Sequence, residues 1–246
     1  MVSVATITDT IGETCRTTCG FDVVRHHGAV DNNALTAALV GAALALLPPV
    51  WDFSRHVVTL VHEAGHAMVA LLTGRRLNAV RLHSDTSGHT ISSGRPRGPG
   101  MVAMAAAGYL APSALGLACI WLVDAGHTAW ALWAALLTLA LMLLYVRNWF
   151  GLLVVGLAGG AVAVLIWRTP AEVQDFAASV LAWFLLVAAP RATLDLWSHR
   201  RRMRSRTTDA DLLGRLTHVP AGVWNAFLLF ATGAALLLAV ALLRAA

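Results

Sequence analysis

The chain has 246 residues, 58% of them hydrophobic and only 13% charged, with a formal net charge of +5. A soluble domain is about 25% charged, so the composition excludes an ordinary water-soluble fold and predicts an all-α polytopic membrane protein with the lipid bilayer as its surroundings. The basic excess is entirely arginine, since the chain contains no lysine, and no basic face on a soluble module is evident, so no nucleic-acid partner is expected.

In chain order, residues 1–33 form a polar N-terminal tail, too polar for a secretory signal. Cys15 and Cys19 are spaced CxxxC there, and with His26 and His27 they could supply the four ligands of a zinc knuckle; free thiols in a tail are the plainer reading. Cys119 lies in an apolar run. Residues 34–246 are then a membrane-embedded domain. A spanning helix needs about 20 largely apolar residues. Such runs fall at 34–50, 54–73, 101–123, 129–146, 149–167, 174–190 and 220–243, which predicts about six to seven transmembrane helices. Pro48-Pro49 is expected to close the first run. "RTPAE" at 168–172 separates the fifth from the sixth, and Gly126 marks the turn between the third and fourth.

Two polar regions interrupt this rhythm. The first spans 75–100, where "LNAVRLH" alternates apolar and polar residues and "SGHTISSG" is turn-rich; a short strand-like hairpin over 77–92 is predicted, following the second helix. The second spans 191–219 and contains the block "SHRRRMRSR" at 198–206, after which "TTDADLLGRL" reads as a helix start with Thr208 or Asp209 as its cap. Alternating spans put the arginines of 75–97, Arg147 and those of 191–215 on one side, which the positive-inside bias makes cytoplasmic. The N-terminus is then cytoplasmic, and Arg55, Arg168 and Arg244 fall on the far side. Arginine-only basic residues and heavy alanine use fit a GC-rich genome, so a bacterial cell membrane is the expected location.

Inside the second run stands "VTLVHEAGHAMVALLTG", residues 58–74. Its ionisable residues, His62, Glu63 and His66, have the spacing HExxH. Four residues is a little over one helical turn, so both imidazoles lie on one face and can meet one metal ion. Zinc suits imidazole ligands in tetrahedral geometry. Glu63, next in the chain, is placed as general base. Left unpaired in an apolar helix, three such groups would cost several kcal/mol. A packing role for a histidine, or a proton relay through the glutamate, would account for one of them but not for all three.

A catalytic zinc needs a third protein ligand and an open position. Asp195, in "PRATLDLWSHRRR", directly extends the sixth spanning run and is the favoured candidate. Asp209, in "TTDADLL", is the alternative and also reads as a helix cap. His83, Asp85, His89 and His199 are weaker candidates, read as solvated loop residues. Asn148 is a polar residue at membrane depth, readable as an oxyanion donor or as an ordinary helix-end residue.

The "HEAGH" on a membrane helix resembles the site-2 protease family of intramembrane zinc metallopeptidases, and most of all a compact branch that has the membrane core and no PDZ domain. "AAGYLAPSALG" at 106–116 is similar to the small-residue segment after that branch's active-site helix. The stretch from "LDLWSHRRRMRSRTTDADLL" to "HVPAGVW" is similar to its C-terminal acidic region and last span. The likeness covers roughly residues 35–240. The family's third-ligand motif is Leu-Asp-Gly, whereas this chain has Leu194-Asp195-Leu196. The resemblance implies a zinc metalloendopeptidase that hydrolyses peptide bonds in or near transmembrane segments of membrane-protein substrates. Such a segment must unwind before it is cut, and the hairpin could hold it extended by edge pairing. A non-proteolytic membrane protein, such as a metal transporter or an assembly factor keeping the zinc site, is the competing reading. A transporter would carry ionisable residues along several spans, and the spans outside the second are almost free of them.

Overall fold

The computed structural model describes residues 32–203 and 208–245. Cys15, Cys19, His26 and His27 lie outside the described residues, as does the side chain of His199. Eight helices and one small sheet are described, in the order α1 (Asn32–Leu46), α2 (Pro48–Leu72), β1 (Arg76–Leu82), β2 (Gly88–Ser93), α3 (Pro99–Asp124), α4 (Thr128–Tyr145), α5 (Trp149–Arg168), α6 (Ala171–Met203), α7 (Asp209–Thr217) and α8 (Ala221–Ala245).

The expected all-α polytopic class holds, with a span count at the lower end of the expectation. Five helices, α3, α4, α5, α6 and α8, are long and apolar enough to cross a membrane, or six if α1 and α2 together make one broken span. The reason lies at Pro48-Pro49. These prolines do not close α1; they occupy the first turn of α2, where a missing N–H costs nothing and a fixed φ suits the helix. Leu47, extended between the two helices, is the corner, and α1 and α2 meet there at 97°. With 15 residues, α1 is about 22 Å long, short of a hydrocarbon core of about 30 Å.

Helix α6 is the central post. Ala182, Leu185 and Leu186 on it are almost fully buried. Its Ala178, Ala182 and Trp183 pack with Ala37 of α1, Ile120 of α3 and Ala239 of α8. Phe184, Leu185 and Ala188 pack with Ala45, Trp51 and Val58, which anchors the α1–α2 corner. Exposed apolar side chains such as Phe53, Leu72, Trp149 and Phe230 belong to the faces that lipid would cover.

The predicted hairpin forms. Strands β1 and β2 pair antiparallel, with Val80 opposite Thr90 and Leu82 opposite Gly88. The α4–α5 junction docks on its β1 side: Val80 bridges Val146, and the Arg147 N–H donates to the Val80 carbonyl at 3.0 Å. Alternating spans put Arg55 on the far side, but its guanidinium donates to Thr86 Oγ1 (2.6 Å) and to the Asp85 carbonyl (3.2 Å) in the hairpin turn. The corner at Leu47 is responsible: α2 starts beside the hairpin turn instead of crossing to it.

Candidate metal centre

Helix α2 carries His62 and His66 one turn apart, and their Nε2 atoms stand 3.0 Å from each other. The two rings pack edge to face. His66 Nδ1 lies 2.7 Å from the carbonyl oxygen of Met104 on α3. A carbonyl only accepts, so Nδ1 carries the proton and Nε2 presents its lone pair. Tyr109 meets the His62 ring edge-on at 4.6 Å. Both imidazoles need room on the α3 side, and Gly108 supplies it: a Cβ there would sit 2.5 Å from His66 Nε2 and from His62 Cε1. Gly65, between the histidines, likewise lets α3 close in, since a Cβ would fall 2.5 Å from that of Ala111.

The carboxylate brought to this pair is that of Asp209. Its Oδ2 lies 3.2 Å from His62 Nε2 and 3.4 Å from His66 Nε2. Asp209 is the first residue of α7, and it is not the cap. Thr208 caps the helix in a reciprocal box with Asp211, whose N–H and carboxylate it engages. The Asp209 side chain is therefore free to turn toward α2. Leu213, fully buried against Ala105 of α3 and Leu228 of α8, fixes α7 in place. Asp195, the favoured third ligand from sequence, is placed otherwise. It is exposed on α6, and its Oδ2 accepts from Trp51 Nε1 at 3.2 Å. It lines the same cleft without joining the imidazole pair.

Two nitrogen atoms and one oxygen thus form a triangle with edges of 3.0, 3.2 and 3.4 Å. Tetrahedral zinc with bonds of about 2.0–2.1 Å spaces its ligands about 3.3–3.4 Å apart. The donor set and its spacing fit such an ion. Among the described residues, these three are the group whose ligand atoms converge in this way.

Glu63 is buried, and its Oε2 accepts a 2.6 Å hydrogen bond from the hydroxyl of Thr90 on β2. Gly88, two residues earlier on the same strand face, lies against the carboxylate: a Cβ at 88 would come within 2.5 Å of Glu63 Oε1. The histidines, Glu63 and Asp209 line one open cleft of about 880 Å³, which the hairpin and α6 also border.

The family model for Peptidase M50B-like proteins matches residues 35–239. The chain belongs to that family, within the site-2 proteases. No curated protein and no solved structure matches it. Membership makes the M50B-like chain a membrane metallopeptidase.

The other sequence candidates of this M50B-like chain stay out of the ligand triangle, although Asp85 and His89 line the same cleft. Asp85 is consumed by its own turn, its Oδ1 accepting from the Ser87 N–H (3.0 Å) and hydroxyl (2.6 Å), which hold its carboxyl below the usual range. His83 and His89 face each other across the hairpin with ring centroids 5.9 Å apart. Asn148 pairs with the backbone of Leu82, its amide NH₂ donating to the carbonyl (2.5 Å) and its oxygen accepting from the N–H (3.2 Å). It thereby continues the β1 ladder and does not line the cleft. Thr90, Gly88, Tyr109 and the Met104 carbonyl were not singled out in sequence. Gly108 lies within the small-residue segment at 106–116, the one signal that pointed to a close approach there.

Proposed function

We propose that this protein is an intramembrane zinc metalloendopeptidase that hydrolyses peptide bonds in or near transmembrane segments of other membrane proteins. The observation that carries the reading is the convergence of His62, His66 and Asp209 with the buried Glu63 beside them in one cleft. In this reading His62 Nε2, His66 Nε2 and Asp209 Oδ2 hold the ion. Bound zinc supplies a Lewis acid that brings the pKa of water to about 7. The Glu63 carboxylate takes the proton from the attacking water and returns it to the leaving amine nitrogen. The Met104 carbonyl keeps His66 in the tautomer that ligates, and Gly108 leaves room for both rings.

The substrate segment must be extended to reach these groups. Strand β2 favours this, because no described strand pairs with its outer edge, while Gly88 and Thr90 on it touch Glu63. An extended chain added there would run past the base. The arginine clusters favour a bacterial cell membrane with the hairpin and the start of α7 on its cytoplasmic side and the N-terminus inside.

The test is direct. Purified protein should hold one zinc per chain and should cleave fluorescein-labelled casein in detergent micelles. Glu63→Gln should keep the zinc and lose the cleavage. Zinc binding with cleavage unaffected by Glu63→Gln would sink the peptidase reading and favour a non-proteolytic zinc protein.

A further inference from the structure

We infer that Thr90 is a positioning residue for the base, and that strand β2 sets the orientation of Glu63 from outside the metal-binding helix. The inference rests on the peptidase reading above and extends it to the hairpin. Glu63 is on α2, and its neighbours in sequence, His62 and Ala64, do nothing to fix the end of its side chain. A glutamate has three side-chain torsions, and the catalytic one must place one oxygen within hydrogen-bond reach of a water. Two contacts from β2 remove that freedom. The Thr90 hydroxyl donates to Oε2 at 2.6 Å, a short charge-assisted bond. Gly88, two residues earlier and therefore on the same strand face, presents bare backbone against the other side of the carboxylate, where any Cβ would collide. The two contacts together fix the direction in which the carboxylate points. The strand itself is held in register by its pairing with β1, and its turn is tied to α2 by Arg55 and by Thr59, whose hydroxyl donates to the Thr86 carbonyl at 2.9 Å. The strand whose edge lies open to an extended substrate also aims the base, so both roles rest on one element.

The experiment compares wild type, Thr90→Val, Thr90→Ser and Glu63→Gln in micelles, reading zinc per chain, kcat and KM for fluorescein-labelled casein. Valine keeps the shape and strand preference of threonine and loses only the hydroxyl. Thr90→Val is expected to keep one zinc per chain and an unchanged KM while kcat falls about 10- to 100-fold, part of what a general base contributes. Thr90→Ser should recover kcat to within about 3-fold of wild type, as a restored donor requires. Wild-type cleavage with Thr90→Val equal to it would overturn the inference alone. So would equal losses in the valine and serine variants, or zinc loss in the valine variant, since each would assign Thr90 to packing. A wild-type chain with no zinc-dependent cleavage would overturn both this and the peptidase reading.

Discussion

Gly108→Ala separates the metal site from the fold. In the wild type α3 passes so close to the histidines that an added Cβ would lie 2.5 Å from His66 Nε2, 2.5 Å from His62 Cε1 and 2.6 Å from His62 Nε2, where ordinary contact begins at 3.4 Å. The deficit is about 0.9 Å, and it falls on both rings at once. A zinc site accepts errors of about 0.2 Å in its ligand distances, so relief by moving the imidazoles leaves the triangle unable to hold the ion. Relief by moving α3 is opposed by Gly65, whose own contacts with Ala107 and Ala111 already bring the two backbones together. Helix propensity pulls the other way: alanine in place of an interior glycine favours α3 by about 1 kcal/mol. The variant should therefore stay folded, with near-wild-type helicity by circular dichroism and a similar melting temperature without metal, while zinc affinity drops by a factor of about 100 and casein cleavage falls with it. A Gly108→Ala protein that holds one zinc per chain at wild-type affinity would refute the claim that this glycine is the floor of the site.

The third ligand gives a paired prediction: Asp209→Asn should lose stoichiometric zinc, measured by metal analysis after dialysis, whereas Asp195→Asn should keep it, because Asp195 is engaged by Trp51. Retention by the first and loss by the second would reverse the assignment. Removing either histidine, His62→Ala or His66→Ala, should likewise abolish zinc binding, since two remaining ligands do not hold the ion. For topology, reporters fused after residues 147 and 205 should label one side of the membrane and reporters after 126 and 169 the other; a mixed pattern would contradict the docking of the α4–α5 junction on the hairpin. Asn148→Ala should lower thermal stability by about 1–3 kcal/mol, the cost of leaving both backbone groups of Leu82 without their partner, with zinc content unchanged; a variant as stable as wild type would remove the structural role given to that amide.

Much of this was readable in one dimension. The apolar runs located every long helix, because twenty consecutive apolar residues have few other fates. The HExxH spacing put two imidazoles on one face by helix geometry alone. Period-two alternation found the hairpin, with β1 and β2 near their expected limits. The third ligand was a different kind of question. Asp195 extends a spanning helix and looked deep enough, while Asp209 follows an arginine block and reads as a cap. What brings Asp209 rather than Asp195 to the imidazoles is that Thr208 takes the cap, that Leu213 seats α7 against α3 and α8, and that the Trp51 indole engages Asp195. All three are tertiary facts. Pro48-Pro49 failed for a subtler reason: proline is as much at home at the first turn of a helix as after its last, and only the 97° corner shows which helix it serves. Thr90 had no signal at all, because nothing local marks a strand hydroxyl that will meet a glutamate 27 positions away.

The placement of Asp209 has a consequence for the chain as a polymer. His62 and Asp209 are 147 residues apart, so an ion bound between them fastens the front of the molecule to the back, like a clasp that closes a long loop. Helix α7 has nine residues, too few to be stable by itself; Leu213 keeps it on one side, and under the zinc proposal the clasp would keep it on the other. A chelator would then do more than silence the chemistry. It would unfasten α7, and hydrogen exchange should rise first there, over Asp209–Thr217, while the interior of α6 stays protected.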